Sequence, residues 1–172
     1  MNKILPTNPD GKSPDTWDDT YNCVNSWRGR FMFSYAAAEH HVSEALVSIS
    51  RQPRLKKPVK LPESTSHRFD HVARFLADCK NPEFDPAYEA ISKFRHHEEL
   101  RHHLCHGYAQ VARFRHGGWL LYIQLTTFKK NQLVRTEVAI DKAQADLLLK
   151  DLEKASSQLR RELKAIGKLL SS

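Results

Sequence analysis

Five of the chain's ten histidines fall within eleven residues: His96, His97, His102, His103 and His106. Arg101 stands among them, and Arg101, His106 and Tyr108 spell Arg-x-x-x-x-His-x-Tyr. These side chains suit proton transfer beside a bound anion, and RNA cleavage is one reaction that would use both. Cleavage of RNA through its own 2′-hydroxyl needs a group to take the hydroxyl proton and another to protonate the departing 5′-oxygen. It also needs a cation where charge accumulates on the phosphate. Histidine titrates near neutrality, so His106 fits proton transfer. Arginine stays charged and holds two phosphate oxygens at once, so Arg101 fits the phosphate. Dependence on the 2′-hydroxyl would select RNA over DNA. His102 and His106, at i and i+4, have a spacing that also suits a metal. No acid or third ligand completes a recognised set, so no metal or cofactor is expected.

On a regular helix Arg101 and His106 lie about 140° apart and do not share a face. Three routes would join them: distortion near Gly107, convergence of two long side chains around the flank, or a second chain that completes the site. His97 lies four positions before Arg101, on the same helical face, and borders the same region. His96, His103 and His116 are read as solvated or structural. Tyr108 lies four positions after Leu104 and three before Val111, which suits a packing aromatic.

The segment from Glu99 to Tyr108, ELRHHLCHGY, resembles the signature of the HEPN superfamily. Members are small α-helical bundles with an Arg, four to six intervening residues and a His near the start of a late helix. Arg101 and His106 match, and Gly107 comes next. Tyr108 matches the further His-x-Tyr variant of HEPN toxins paired with a minimal nucleotidyltransferase antitoxin, where the tyrosine is adenylylated. The residue after the Arg is often Asn in that superfamily; here it is His102. The resemblance implies a metal-independent endoribonuclease that leaves 2′,3′-cyclic phosphate ends. It implies a homodimer with two facing motifs, so that Arg101 and His106 are catalytic and His102, Tyr108 and His97 line a composite cleft. It implies a defence or toxin–antitoxin setting, with an antitoxin or nucleotidyltransferase as partner. The alternative is a HEPN-fold dimer that binds RNA, a nucleotide or a protein without cleaving it.

Periodicity gives the secondary structure that carries these residues. Val24, Trp27, Phe31, Tyr35, Ala38, Val42, Ala45 and Ile49 recur at three or four, predicting a helix from Asp18 or Asp19 to about Ser50. Pro53, Pro58 and Pro62 exclude a continuous helix over the next stretch. Arg51, Arg54, Lys56, Lys57 and Lys60 within it form a solvated loop or a contact for RNA phosphates. A second helix is expected from about Ser66 to Lys80. A third is expected from an Asp85 N-cap and Pro86, through the histidine cluster, to about Arg113. After Gly117-Gly118, two β-rich runs around Lys129-Lys130-Asn131 predict a hairpin over about 119–141. Asp141, with Gln144 as its capping-box partner, opens a last helix to about residue 170. The sum is a mainly α, HEPN-like four-helix bundle with a hairpin before the last helix, as a single domain over 17–172 behind a flexible tail of residues 1–16.

Composition sets the class. There are 27 basic and 20 acidic residues, a net charge of +7 with His neutral. That excess favours polyanionic partners, nucleic acid first. No apolar run approaches the roughly 20 residues that cross a bilayer, so no membrane association is expected. The N-terminal segment lacks the apolar centre of a secretory signal. Cys23, Cys79 and Cys105, odd in number, read as free thiols of a cytoplasmic protein.

Overall fold

The computed structural model describes residues 16–52, 64–115 and 117–171. The expected tail, apart from Thr16, lies outside the described residues. So do His116 and the stretch carrying Arg54, Lys56, Lys57 and Lys60. The protein is mainly helical with one small antiparallel sheet. Helix α1 spans Trp17–Ser50, α2 Thr65–Asp78, α3 Asp85–Arg95, α4 Glu98–His106 and α5 Lys142–Ser171; strands β1 (Tyr108–Arg113), β2 (Trp119–Lys129) and β3 (Gln132–Asp141) lie between α4 and α5. Among the described residues no helix is long and apolar enough to cross a membrane. The chain divides into two compact units. One takes residues up to Met32 and Glu99–Lys150, the other Phe33–Glu98 and Asp151 onward.

In the first unit, α1 begins with a reciprocal cap. The Thr16 hydroxyl accepts from the Asp19 amide at 3.1 Å, and the Asp19 carboxylate accepts from the Thr16 amide at 3.2 Å. Two orphan amides are thereby satisfied. The sheet has the order β1-β2-β3, with β2 central. Lys130 and Asn131 join β2 to β3 with φ of 47° and 63°, the left-handed pair that a two-residue hairpin needs to match strand twist. Leu121, Ile123 and Leu125 alternate along β2 on the buried face, with Ile140 of β3. Trp27 and Trp119 lie with ring centroids 6.1 Å apart in that core, and the Trp27 indole donates to the Ala145 carbonyl at 2.7 Å. At the start of α5, Asp141 and Gln144 exchange amide bonds of 2.8 and 3.1 Å, the expected capping box.

In the second unit, Phe94 of α3 is fully buried, stacked on Phe69 of α2 at 5.5 Å and against Tyr35 of α1 at 4.9 Å. Leu152, Leu159, Leu163 and Ile166 of α5 are buried in the same unit. Arg95 bonds Glu98 at 3.2 Å and also the Asp70 carboxylate.

The third helix departs from expectation in three ways. Asp85 is its first residue, not its cap: a 3-10 turn, Pro82–Phe84, leads straight into it and is itself capped by Asn81. The helix stops at Arg95, where His96 and His97 donate to the carbonyls three residues back, of Lys93 and Phe94. Beyond His106 the chain is extended, so Tyr108–Arg113 is a third strand, not a helix. Leu104, Tyr108 and Val111 fit a helical stripe, and Tyr108-Ala-Gln-Val-Ala-Arg113 has no apolar–polar alternation to announce a strand. The ladder offered by β2 makes the segment one.

Candidate active site

Helix α4 has nine residues and carries Arg101, His102, His103 and His106. Arg101 is half-buried, while His102 and His106 are exposed. The helix is regular to its end, where the Gly107 amide donates to the His103 carbonyl at 2.8 Å. The bend therefore comes after His106. Arg101 and His106 keep their separation of about 140° within one chain. His106 meets His102 instead: their ring centroids are 4.9 Å apart, at 60°. His102 is drawn below the ordinary histidine range, by partial desolvation first and then by the electrostatic influence of neighbouring His106, His103 and Arg101. Its imidazole is thus biased toward the neutral, proton-accepting form beside a second imidazole.

Three supports fix this helix in the first unit. His103 is buried and bridges elements: Nδ1 lies 2.8 Å from the Glu99 carbonyl and Nε2 2.9 Å from the Thr136 hydroxyl of β3. A carbonyl only accepts, so Nδ1 carries the proton, and in the neutral ring Nε2 accepts from Thr136. The Arg28 guanidinium of α1 donates to the Leu104 carbonyl at 3.0 Å, satisfying a group that the helix end leaves open. Gly107 closes the junction: a Cβ there would lie 2.3 Å from Ile123 Cγ2 and 2.6 Å from the His103 carbonyl oxygen. Removing the hydroxyl in Thr136→Val strands the His103 ring nitrogen. We expect a loss of about 1–3 kcal/mol, read as a lower urea midpoint with an unchanged m-value.

Tyr108 opens β1 two residues after His106 and is 68 % exposed. It is not the packing aromatic that a helical stripe implied. It pairs across the ladder with Gln124. Cys105 is an exposed free thiol whose Sγ lies 3.8 Å from Met32 Sδ. Residue spacing does not reveal Arg28 and Thr136, because both reach α4 from distant stretches. The signal within the sequence is that His103 lies off the face shared by His102 and His106.

His97 belongs to the second unit, where it is buried with its ring edge-on to Phe94 and Nε2 3.4 Å from the exposed Asp151 carboxylate. Burial lowers its pKa and Asp151 opposes the shift. The unfolded chain therefore takes up a proton at a pH where the folded chain still refuses it. Stability is full above the ordinary histidine pKa and falls as pH drops through it. The urea midpoint of the wild type is expected to fall between pH about 7.5 and about 5.5, and His97→Gln is expected to flatten that slope.

Among the described residues no group of three or more His, Cys, Asp or Glu side chains converges as a metal site. Compared with protein-family models, with curated proteins and with solved structures, the chain matches none of them.

Proposed function

We propose that the protein is a HEPN-type endoribonuclease acting without a metal ion. The observation that carries this proposal is the presence on one short, braced helix of Arg101 and of two exposed imidazoles in ring contact. In this scheme an imidazole of the pair takes the proton from the 2′-hydroxyl as its oxygen attacks phosphorus. The P–O5′ bond breaks, and a protonated imidazole returns a proton to the 5′-oxygen. The product is a 2′,3′-cyclic phosphate and a free 5′-hydroxyl. Arg101 holds the non-bridging oxygens as charge builds. The neutral bias of His102 supports assigning it the base role and His106 the acid role.

The angle between Arg101 and His106 supports a composite site in a homodimer. There, Arg101 of one protomer faces His106 of its partner. A defence or toxin–antitoxin setting fits an RNase of this kind, as does a partner that restrains it. The decisive experiment is cleavage of an end-labelled structured RNA in EDTA, with end-group analysis and with light scattering of the same sample. Cyclic-phosphate ends made by a dimer are expected. A monomer at working concentration would overturn the composite site, and wild-type protein inert on several RNAs would overturn the nuclease. In that second case, RNA or nucleotide binding without turnover becomes the function.

A further inference from the structure

The second unit carries a cleft of about 610 Å³, walled by His41, Glu44 and Ser48 of α1 and by Arg160, Lys164 and Lys168 of α5. That volume falls within the range of ligand sites. The three cations recur every fourth residue, so they stand on one side of α5 in steps of about 6 Å, a spacing that suits successive phosphates of one strand. All three are exposed. A favourable interaction with the helix dipole accounts for a cation in the last turn, Lys168, but not for Arg160 or Lys164 further in. Among the described lining residues Glu44 is the one acid. It accepts from His41 at 3.0 Å and lies 3.5 Å from His40; the His41 bond first, then the charges of the two histidines and of Lys164 across the cleft, hold its carboxyl below the usual range, so a phosphate at Lys164 would compete with this carboxylate. Gly167 leaves the cleft unfilled: a Cβ there would meet nothing within 4 Å. A glycine inside a helix is unfavourable relative to alanine, and here it leaves room between the cations.

We propose that this cleft binds the phosphates of a single RNA strand through Arg160, Lys164 and Lys168. The inference rests on RNA being the ligand of the protein, and extends that reading to a contact surface outside α4. A strand fits better than a compact anion because the cations form a row along an open cleft and do not converge on one point.

The test uses full-length protein carrying His106→Ala, so that bound RNA survives, and a fluorescent single-stranded RNA oligomer over a salt series. Adding Arg160→Ala, Lys164→Ala and Lys168→Ala is expected to weaken binding roughly tenfold or more and to reduce the log–log salt slope by about 2, the value for three lost single-strand phosphate contacts. Gly167→Phe, which fills the cleft at unchanged charge, is expected to weaken binding as well, with the melting temperature verifying the fold. Lys129→Ala, Lys130→Ala and Arg135→Ala remove the same charge from the hairpin and are expected to leave affinity near that of the parent.

Equal weakening by the two triple variants would overturn the cleft in favour of bulk charge. An unchanged slope in the Arg160/Lys164/Lys168 variant would overturn it directly, as would failure of the parent to bind RNA. Displacement of the strand by micromolar ATP would replace it with a nucleotide site. Wild-type cleavage, measured in parallel, reports on the nuclease separately. Cleft-dependent binding without cleavage keeps this inference and removes the enzyme; cleavage with a slope indifferent to the cleft does the reverse.

Discussion

His106→Ala is expected to lower the single-turnover rate of RNA cleavage by roughly 10²–10⁴-fold, the usual worth of a positioned proton-transfer group. Its fold should survive, because the ring is exposed at the end of α4 and its close neighbour is another exposed ring. Arg101→Ala is expected to lose roughly 10²–10³-fold, the cost of removing one preorganised group from developing charge. Arg101→Lys keeps the charge but loses the planar fork, so its rate should fall between those of Arg101→Ala and the wild type. The pH profile separates the imidazoles. If His102 is the base, the acidic limb of the rate profile lies below the ordinary histidine value, because desolvation first, and then its neighbours His106, His103 and Arg101, disfavour its protonation. His102→Ala then flattens that limb, whereas His106→Ala removes the alkaline one. A wild-type rate in His106→Ala would end the nuclease proposal.

Gly107→Ala is the second large effect, and it acts through structure. The added methyl would lie 2.3 Å from Ile123 Cγ2, 2.6 Å from the His103 carbonyl oxygen and 3.3 Å from the Gln124 carbonyl oxygen. Ile123 has a side chain that could rotate, but it is buried in the sheet core. The other two atoms belong to backbone, one in α4 and one in β2, and cannot swing away. Relief therefore requires the helix end and the strand to part. Overpacking of this kind costs about 1–3 kcal/mol, and Gly107→Val should cost more. Because α4 ends one residue earlier, cleavage should fall by more than the fraction of unfolded protein accounts for. The measurement is a urea midpoint beside an activity normalised to folded protein. A wild-type midpoint for Gly107→Ala would mean that the helix–strand junction yields more readily than its backbone contacts imply.

The parts of this fold that are legible in the sequence are those decided by neighbours a few residues away. The Asp141–Gln144 box, the stripe of α1 from Val24 to Ile49 and the pairing of β2 with β3 across Lys130-Asn131 all rest on local geometry. The departures lie where a distant partner overrides the local pattern. Tyr108–Arg113 fits a helical stripe through Tyr108 and Val111 and has no strand alternation, and only the ladder with β2, brought back by the Gly117-Gly118 turn, makes it a strand. Asp85 has the residue type of a cap, yet the preceding 3-10 turn moves the boundary past it. Within the site one helix carries Arg101, His102 and His106, and spacing alone foretells that His102 and His106 share a side from which Arg101 is turned away. The support of His103 by Thr136 spans 33 residues and that of Leu104 by Arg28 spans 76, so neither leaves a local trace. The basic row on α5 is visible as a repeat of four, but the wall of α1 that turns it into a cleft is not.

The division of the chain into two compact units limits how its parts could be separated. Passage from one unit to the other occurs after Met32, after Glu98 and after Lys150, and the first and third of these points lie inside the unbroken helices α1 and α5. Neither unit is a contiguous stretch of sequence. A single cut between the start of α1 and the end of α5 leaves at least one of them missing a helical segment, and cutting at a unit boundary in α1 or α5 severs a helix mid-span. The protein is therefore not modular in the genetic sense: no one stretch of sequence holds the whole of the unit that carries its proposed nuclease helix. Deletion mapping would score nearly every fragment as inactive wherever the active residues lie. Point substitution is the form of dissection that this architecture permits.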